Sequence, residues 1–171
     1  MHSTGPLPPL AALPAGFAEM MASGVSCIVS SCSPALRPSI MRAVGTQVVP
    51  GATEITVFLV RSQAHQLLQD IADTGRMAVV FSQPASHRTV QFKARQPRVR
   101  PACEADRPVL QRYLAAMEVE LAQVDIGVPF ARAMFSHELD DVVALDFVPE
   151  EAFDQSPGPK AGAAFCLPPN A

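Results

Sequence analysis

The sequence predicts a mainly β protein with flanking helices, an α+β fold arranged as a small antiparallel barrel. Short apolar runs alternate with loops rich in Ser, Pro and Gly, which is typical of strands. Loops this short cannot make a parallel crossover, so neighbouring strands are expected to pair antiparallel. Other stretches place apolar residues at helical spacing. At 171 residues the chain fits a single domain, 1–171.

The most informative stretch is a predicted hairpin. Residues 77–81 form an apolar run, residues 82–88 have the composition of a loop, and residues 89–94 alternate polar with apolar. Because successive side chains of a strand point to opposite faces, the polar ones share a face: Thr89, Gln91 and Lys93. The apolar ones share the other: Val90, Phe92 and Ala94. This pattern suits either a barrel with a polar ligand on its outer wall or a solvated strand face.

The other elements follow from the same patterns. Further strands are predicted at Val25–Ser30, Ser39–Val49, Ile55–Val60 and Asp141–Val148. Helices are predicted at Leu13–Ser23, Ser62–Asp73, Ala105–Val124 and Pro129–Phe135. Ser62 can cap its helix and Gly75 can end it. Residues 1–12 are expected to be flexible and residues 154–171 to form an extended tail.

The composition favours a protein that buries apolar surface against a partner. Hydrophobic residues make up 49% of the chain and charged residues 17%, which suggests a dimer interface. The net charge of −3 argues against nucleic-acid binding, which needs a basic surface. No run approaches the roughly eighteen apolar residues of a membrane-spanning helix, so we expect no membrane contact. A cytoplasmic location is expected because residues 1–13 contain no Lys or Arg, whereas a signal peptide begins with a positively charged region.

No metal site is expected from the cysteines. Their positions lack the paired spacing of zinc ligands, and reduced thiols suit a cytosolic protein: Cys27, Cys32, Cys103 and Cys166. No glycine-rich phosphate loop, paired carboxylates or Ser/His/Asp order stands out. The single histidines His65, His87 and His137 are more often surface residues than acids, bases or ligands.

Arg42 is the most informative single residue. In the predicted strand Ser39–Val49 it shares a face with apolar neighbours: Ile40, Val44 and Val48. A guanidinium in such surroundings needs a partner, because an unpaired buried charge is costly. A phosphate bound by the guanidinium fork would be one partner. A carboxylate, or a side chain that reaches solvent from a strand edge, is the alternative.

The predicted helix that begins at Ser62 offers a second candidate site. Free backbone N–H groups and the helix dipole make a helix N-terminus receptive to phosphate. The residues there are polar or basic: Arg61, Ser62, His65 and Gln66. An ordinary capped surface helix would have the same composition.

The order of these elements resembles the FMN-binding split barrel of the pyridoxamine 5'-phosphate oxidase-like family. The strand Ile55–Val60, a short helix and the hairpin of residues 77–94 follow one another as in that family. The end of the chain, 148–150 and 153–162, is similar to a closing segment found in one branch of oxidase-like proteins. The resemblance covers about Ala18 to Gly162.

The resemblance implies an antiparallel split β-barrel of the FMN-binding type and a homodimer with FMN between its subunits. It implies a flavin-dependent oxidoreductase that acts on a small molecule. The implied cofactor-binding residues are Arg42, Arg61, Ser62, His65, Gln66, Arg88, Thr89 and Gln91. Whether Thr89 or Gln91 contacts the cofactor depends on one residue of strand register.

The chain departs from the family at several positions. Gly45 stands where the family has a lysine. The chain has no Trp, one Tyr and no basic C-terminal segment, so a true pyridoxamine-phosphate oxidase is not expected. Two alternatives belong to other classes. One is a haem-binding or haem-handling split barrel with His65 or His87 as axial ligand, and the other is a non-catalytic dimer that has lost the flavin.

Overall fold

The computed structural model describes residues 13–49 and 52–167, so the segment predicted to be flexible, 1–12, lies outside the described residues. The larger sheet consists of β1 (Ser26–Cys32), β2 (Pro38–Arg42), β5 (Arg76–Ser82), β6 (Thr89–Arg95), β9 (Glu151–Asp154) and β10 (Ala164–Phe165). The smaller sheet consists of β3 (Gly45–Gln47), β4 (Ile55–Val60), β7 (Arg98–Pro101) and β8 (Val142–Phe147). The helices are α1 (Phe17–Ala22), α2 (His65–Thr74), α3 (Arg107–Ala122) and α4 (Val128–Met134).

All strand pairs are antiparallel, as predicted. The larger sheet has the order β10-β9-β6-β5-β1-β2 and the smaller one β3-β4-β8-β7. The hairpin β5–β6 and the strand β4 lie where the sequence places them. This confirms the predicted α+β class with two antiparallel sheets and flanking helices.

The predicted single strand Ser39–Val49 is wrong, because the chain changes sheets in its middle. The amide of Ala43 donates to the carbonyl of Cys27 in β1, at 2.9 Å. The amide of the next residue, Val44, donates to the carbonyl of Phe58 in β4, at 2.8 Å. Arg42 and Ile40 therefore share a face of β2, whereas Val44 and Val48 belong to the other side of the break.

The main core lies between the two sheets. The inward side chains of β5 and β6 are fully buried, and the rings of Phe81 and Phe92 meet edge to face with centroids 6.0 Å apart. The inward side chains of β4 and β8 complete this core. Helices α1 and α2 contribute Met21 and Leu67 to it. The face predicted to be buried in the hairpin, that of Phe92, is confirmed.

A second core lies between the outer face of the smaller sheet and the helices α3 and α4. Phe58 of β4, Tyr113 of α3 and Phe135 after α4 are its largest members. The Tyr113 hydroxyl donates to the carbonyl of Val25 at 3.0 Å. Gly45 faces this core, and a Cβ atom there would lie 2.6 Å from Cδ2 of Leu110. A lysine at position 45 would therefore require the Leu110 side chain of α3 to move.

The outer face of the larger sheet is not covered in the same way. Its outward apolar side chains belong to neither core among the described residues: Ile28, Ile40, Ala78, Val80 and Phe153. Ile40 is 71% exposed, and the central residues are half-buried. An apolar sheet face left open to solvent is typical of an interaction surface.

Several element bounds differ from the prediction. Helix α2 begins at His65, after a 3₁₀ turn at Arg61–Gln63, and Ser62 does not cap it. Gly75 ends that helix at φ 65°, as predicted. The described part of the predicted extended tail, 154–167, is not simply extended, because residues 155–163 turn back and β10 pairs with β9. Residues 168–171 lie outside the described residues. Phe165 then contacts Phe17, with ring centroids 5.4 Å apart. No helix in the described ranges is long and apolar enough to cross a membrane.

Buried charges link the smaller sheet to the start of α3. Asp146 of β8 is 3% exposed and accepts hydrogen bonds from Thr56 at 2.7 Å and from Arg100 at 3.2 Å. Arg100 also contacts Asp106 at 2.7 Å. The hydrogen bond from Arg100 holds the pKa of Asp106 below its usual range. Pairing of this kind offsets part of the desolvation penalty of burying each charge.

Replacing Phe92 by Ala should reduce the free energy of unfolding by about 3–5 kcal/mol, because the change leaves a cavity in the main core. Chemical denaturation measures the effect. The matched control is Gln91→Leu on the opposite face, expected to stay within about 0.5 kcal/mol of the wild-type value. A harmless Phe92→Ala combined with a damaging Gln91→Leu would contradict the strand register.

Replacing Asp106 by Ala should reduce stability at neutral pH by about 1.5–3 kcal/mol, because Arg100 loses a charged hydrogen-bond partner. The folded pKa of Asp106 lies below the ordinary value of 3.8, so its stabilisation is present above that pH. It is lost as the pH falls through the folded pKa. Denaturation curves should therefore show the wild-type and Asp106→Ala proteins converging in acid, and a constant difference down to the lowest pH would contradict this.

Candidate functional site

A row of side chains crosses the uncovered face of the larger sheet. Strand register places Arg42 beside Ile28, Ile28 beside Val80, and Val80 beside Gln91. Phe153 continues the row on β9. Paired residues in adjacent strands point to the same side of a sheet. The row therefore runs from a cation through apolar side chains to an amide, and we call it the outer-face row.

Arg42 is half-buried at one end of the outer-face row. Its Nη1 atom donates to the sulfur of Met134, at the end of α4. A thioether sulfur is a weak acceptor and leaves the charge of the guanidinium unpaired. No carboxylate lies within 4.0 Å of Arg42 among the described residues. The guanidinium is therefore receptive to an anion.

Thr89 and Gln91 supply the polar end of this face. The Thr89 hydroxyl lies 2.8 Å from the hydroxyl of Ser82, its partner across β5 and β6. Gln155 donates to Oε1 of Gln91 at 3.3 Å. Both side chains point away from the main core, as the alternation predicts. They can donate and accept hydrogen bonds on the same face that carries Arg42.

The junction between β4 and α2 forms a separate polar group that includes Arg61, Ser62 and His65. Its donors converge on Asp141, in the 3₁₀ turn before β8. The Ser62 amide donates to Oδ1 of Asp141 at 3.0 Å, and the Ser62 hydroxyl donates to Oδ2. Arg61 lies 3.8 Å from Oδ1 and also donates to the carbonyl of Asp140. We call this group the β4–α2 junction.

These contacts keep the Asp141 side chain ionised. The hydrogen bond from the Ser62 hydroxyl lowers the pKa of Asp141 most, and the Ser62 amide and the charges of Arg61 and His65 lower it further. The junction therefore binds a carboxylate with a backbone N–H, a hydroxyl and a nearby guanidinium. That donor set is suited to oxyanions in general.

Arg88 and Gln66 have other partners in the structure. The Arg88 guanidinium lies 4.1 Å from the centroid of Phe17 and donates to the carbonyl of Ala15 at 2.7 Å. Gln66 donates to Asp70 at 2.8 Å, and Asp70 accepts a hydrogen bond from Ser39 at 2.6 Å. Arg88 thus links the β5–β6 loop to α1 and to the residue Ala15 before it. Gln66, through Asp70, helps to fix β2 and with it the position of Arg42.

The three histidines among the described residues lie on separate segments. His65 begins α2 near Asp141. His87 lies exposed in the β5–β6 loop with φ 58°. Nδ1 of His137 lies 2.8 Å from the carbonyl of Phe135. His137 lines a groove of about 700 Å³ beside the start of α3, which none of the predicted cofactor residues lines.

The fold has counterparts among solved structures. An F420 reductase is 11% identical, with a TM-score of 0.53 over 82% of this chain and 98% of that one. HupZ of Group A Streptococcus is 13% identical, with a TM-score of 0.51 over 88% and 99%. A predicted pyridoxamine 5'-phosphate oxidase from Lactobacillus delbrueckii is 12% identical, with a TM-score of 0.50 over 82% and 93%. The chain has the fold of the pyridoxamine 5'-phosphate oxidase-like proteins.

Sequence comparison adds nothing to this likeness. No protein-family profile matches the chain, and no curated protein sequence does. The likeness therefore rests on the superposed structures, and at identities of 11–13% it shows the fold alone.

Asp141 is the residue that sequence reasoning missed. The sequence placed it at the start of a strand, whereas it lies in the turn before β8 and contacts Ser62 from 79 residues away. The pairing of Val142 with Val60 brings this turn to the end of β4. No local pattern reveals such a contact. Only the strand order of the smaller sheet could have suggested it.

Proposed function

We propose that this split-barrel protein binds FMN on the outer face of its larger sheet and uses it as a flavin-dependent oxidoreductase of a small molecule. The observation that carries the proposal is Arg42, a cation without a carboxylate partner on a sheet face whose apolar side chains belong to neither core. The structural likeness supports the fold, and an F420 reductase is among the proteins that share it.

The residues of this face fit the parts of FMN. Arg42 would bind the phosphate, because a guanidinium can grip a phosphate through two parallel hydrogen bonds. Thr89 and Gln91 would exchange hydrogen bonds with the polar atoms of the cofactor. Ile28 and Val80 offer apolar surface to a flat ring. The β4–α2 junction would be the second phosphate anchor, but its donors already hold Asp141.

A flavin held by Arg42, Thr89 and Gln91 would supply the redox chemistry, hydride transfer from the substrate and electron transfer to an acceptor. The protein then has to position the cofactor, exclude water and neutralise the phosphate. That division of labour is consistent with the lack of a catalytic triad or paired carboxylates in the sequence. Oxidation of pyridoxamine phosphate is not proposed, since the chain has no Trp and no basic C-terminal segment.

Two copies of the chain would also associate through the outer face of the larger sheet. Ile40 is 71% exposed on the edge strand β2, next to the half-buried side chains of β1 and β5. A second copy would cover these groups, and an isologous interface would place two equivalent cofactor sites at its margins. Burial of this face would also remove the bound FMN from bulk water.

The absorption spectrum of the protein reconstituted with FMN tests the cofactor. Flavin bands are expected, and Arg42→Ala should weaken FMN binding about tenfold to hundredfold, because a charged hydrogen bond contributes about 1.5–3 kcal/mol. The matched control is Arg112→Ala, which removes an exposed arginine from α3. A Soret band in the purified protein would favour the haem alternative. A folded protein that retains neither chromophore would favour the non-catalytic dimer.

Light scattering during gel filtration tests the dimer. The wild-type protein is expected to elute with the mass of two chains. Ile40→Glu should shift it to a monomer, because it places a charge on the interface. Val119→Glu is the control, because Val119 is similarly exposed, at 64%, on helix α3. A wild-type monomer at micromolar concentration would contradict the proposed interface.

A further inference from the structure

The β4–α2 junction already holds an anion of the protein's own. Both carboxylate oxygens of Asp141 are engaged: Oδ1 by the Ser62 amide at 3.0 Å and Oδ2 by the Ser62 hydroxyl. Arg61 stands 3.8 Å away with its guanidinium directed to the same turn. The donors that an incoming phosphate would use at this junction are therefore bound to a carboxylate.

The sheet register keeps this carboxylate in place. Asp141 immediately precedes β8, and the first residue of β8, Val142, pairs with the last residue of β4, Val60. Arg61 and Ser62 follow directly after Val60. The β4–β8 pairing therefore holds the 3₁₀ turn Leu139–Asp141, and with it the carboxylate, beside these donors.

A carboxylate in this position opposes a phosphate in two ways. It occupies the N–H and hydroxyl donors that the phosphate would need, and its negative charge repels the phosphate charge. The pKa of Asp141 is lowered by the same contacts, so the carboxylate stays ionised at neutral pH. A flavin without a phosphate meets neither obstacle.

We propose that Asp141 is a specificity-determining residue that competes with the cofactor phosphate for the β4–α2 junction. This inference rests on the proposed flavin site. The donors Arg61 and Ser62 alone would favour FMN over riboflavin, because only FMN carries a phosphate. By occupying these donors, Asp141 reduces that preference. FMN must displace the carboxylate or rely on Arg42 alone for its phosphate.

The test compares Asp141→Asn with the wild-type protein. Asparagine keeps the shape and one acceptor but removes the charge. The control is Asp140→Asn, because Arg61 contacts the carbonyl of Asp140 and not its carboxylate. Dissociation constants for FMN and riboflavin are measured by quenching of flavin fluorescence. Inorganic phosphate, tested by thermal shift, reports on the junction without any flavin.

Asp141→Asn is expected to bind FMN about tenfold more tightly, a change of about 1.4 kcal/mol, with riboflavin affinity unchanged. Phosphate should raise the melting temperature of Asp141→Asn more than that of the wild-type and Asp140→Asn proteins. Asp141→Ala, which removes the acceptor as well, should behave in the same way and serves if the Asn variant does not fold.

The two proposals fail in different ways. If no variant binds FMN but phosphate stabilises Asp141→Asn selectively, the competition of Asp141 with phosphate at the junction stands and the flavin assignment is wrong. If the wild-type protein binds FMN, and removal of the Asp141 charge changes neither FMN affinity nor the response to phosphate, the role of Asp141 is overturned. Absence of both FMN binding and any phosphate effect overturns both.

Discussion

The architecture depends on one change of partner between consecutive backbone amides. The N–H of Ala43 donates to the larger sheet and that of Val44 to the smaller one. This step lets residues 38–47 form edge strands in both sheets and joins the two faces that enclose the main core. It also ends β2 at Arg42, so that the arginine stays on the outer face of the larger sheet. Three residues after Arg42, Gly45 faces α3, where a Cβ atom would lie 2.6 Å from Cδ2 of Leu110.

The distribution of helices then determines where a ligand can bind. Helices α3 and α4 cover the outer face of the smaller sheet, and α1 and α2 contribute to the core between the sheets. On the outer face of the larger sheet, Met134 at the end of α4 contacts Arg42, and the outward apolar side chains belong to neither core. A half-buried guanidinium, two polar side chains and several apolar ones remain there together. At the β4–α2 junction, by contrast, the amide and hydroxyl of Ser62 already donate to Asp141. The Arg42 guanidinium has no carboxylate partner among the described residues, whereas the junction donors do.

The parts of this arrangement that are local could be predicted from the sequence. Alternation in residues 89–94 identified the buried and open faces of β6 correctly, and the apolar run Ile55–Val60 matched β4 residue for residue. The break within Ser39–Val49 could not be predicted, because the alternation continues locally and only the pairing partner changes. The contact of Asp141 with Ser62 was missed for the same reason, since it depends on which strands become neighbours.

Hydroxyl-radical footprinting with mass spectrometry tests the central claim that the outer face of the larger sheet is the functional surface. Oxidation rates of Ile28, Ile40 and Val80 are compared between dilute cofactor-free protein and concentrated protein saturated with FMN. The account predicts that all three residues become protected, whereas Val119 and Phe130, exposed on α3 and α4, keep their rates. Unchanged rates at the three sheet residues, or protection confined to the helices, would contradict it.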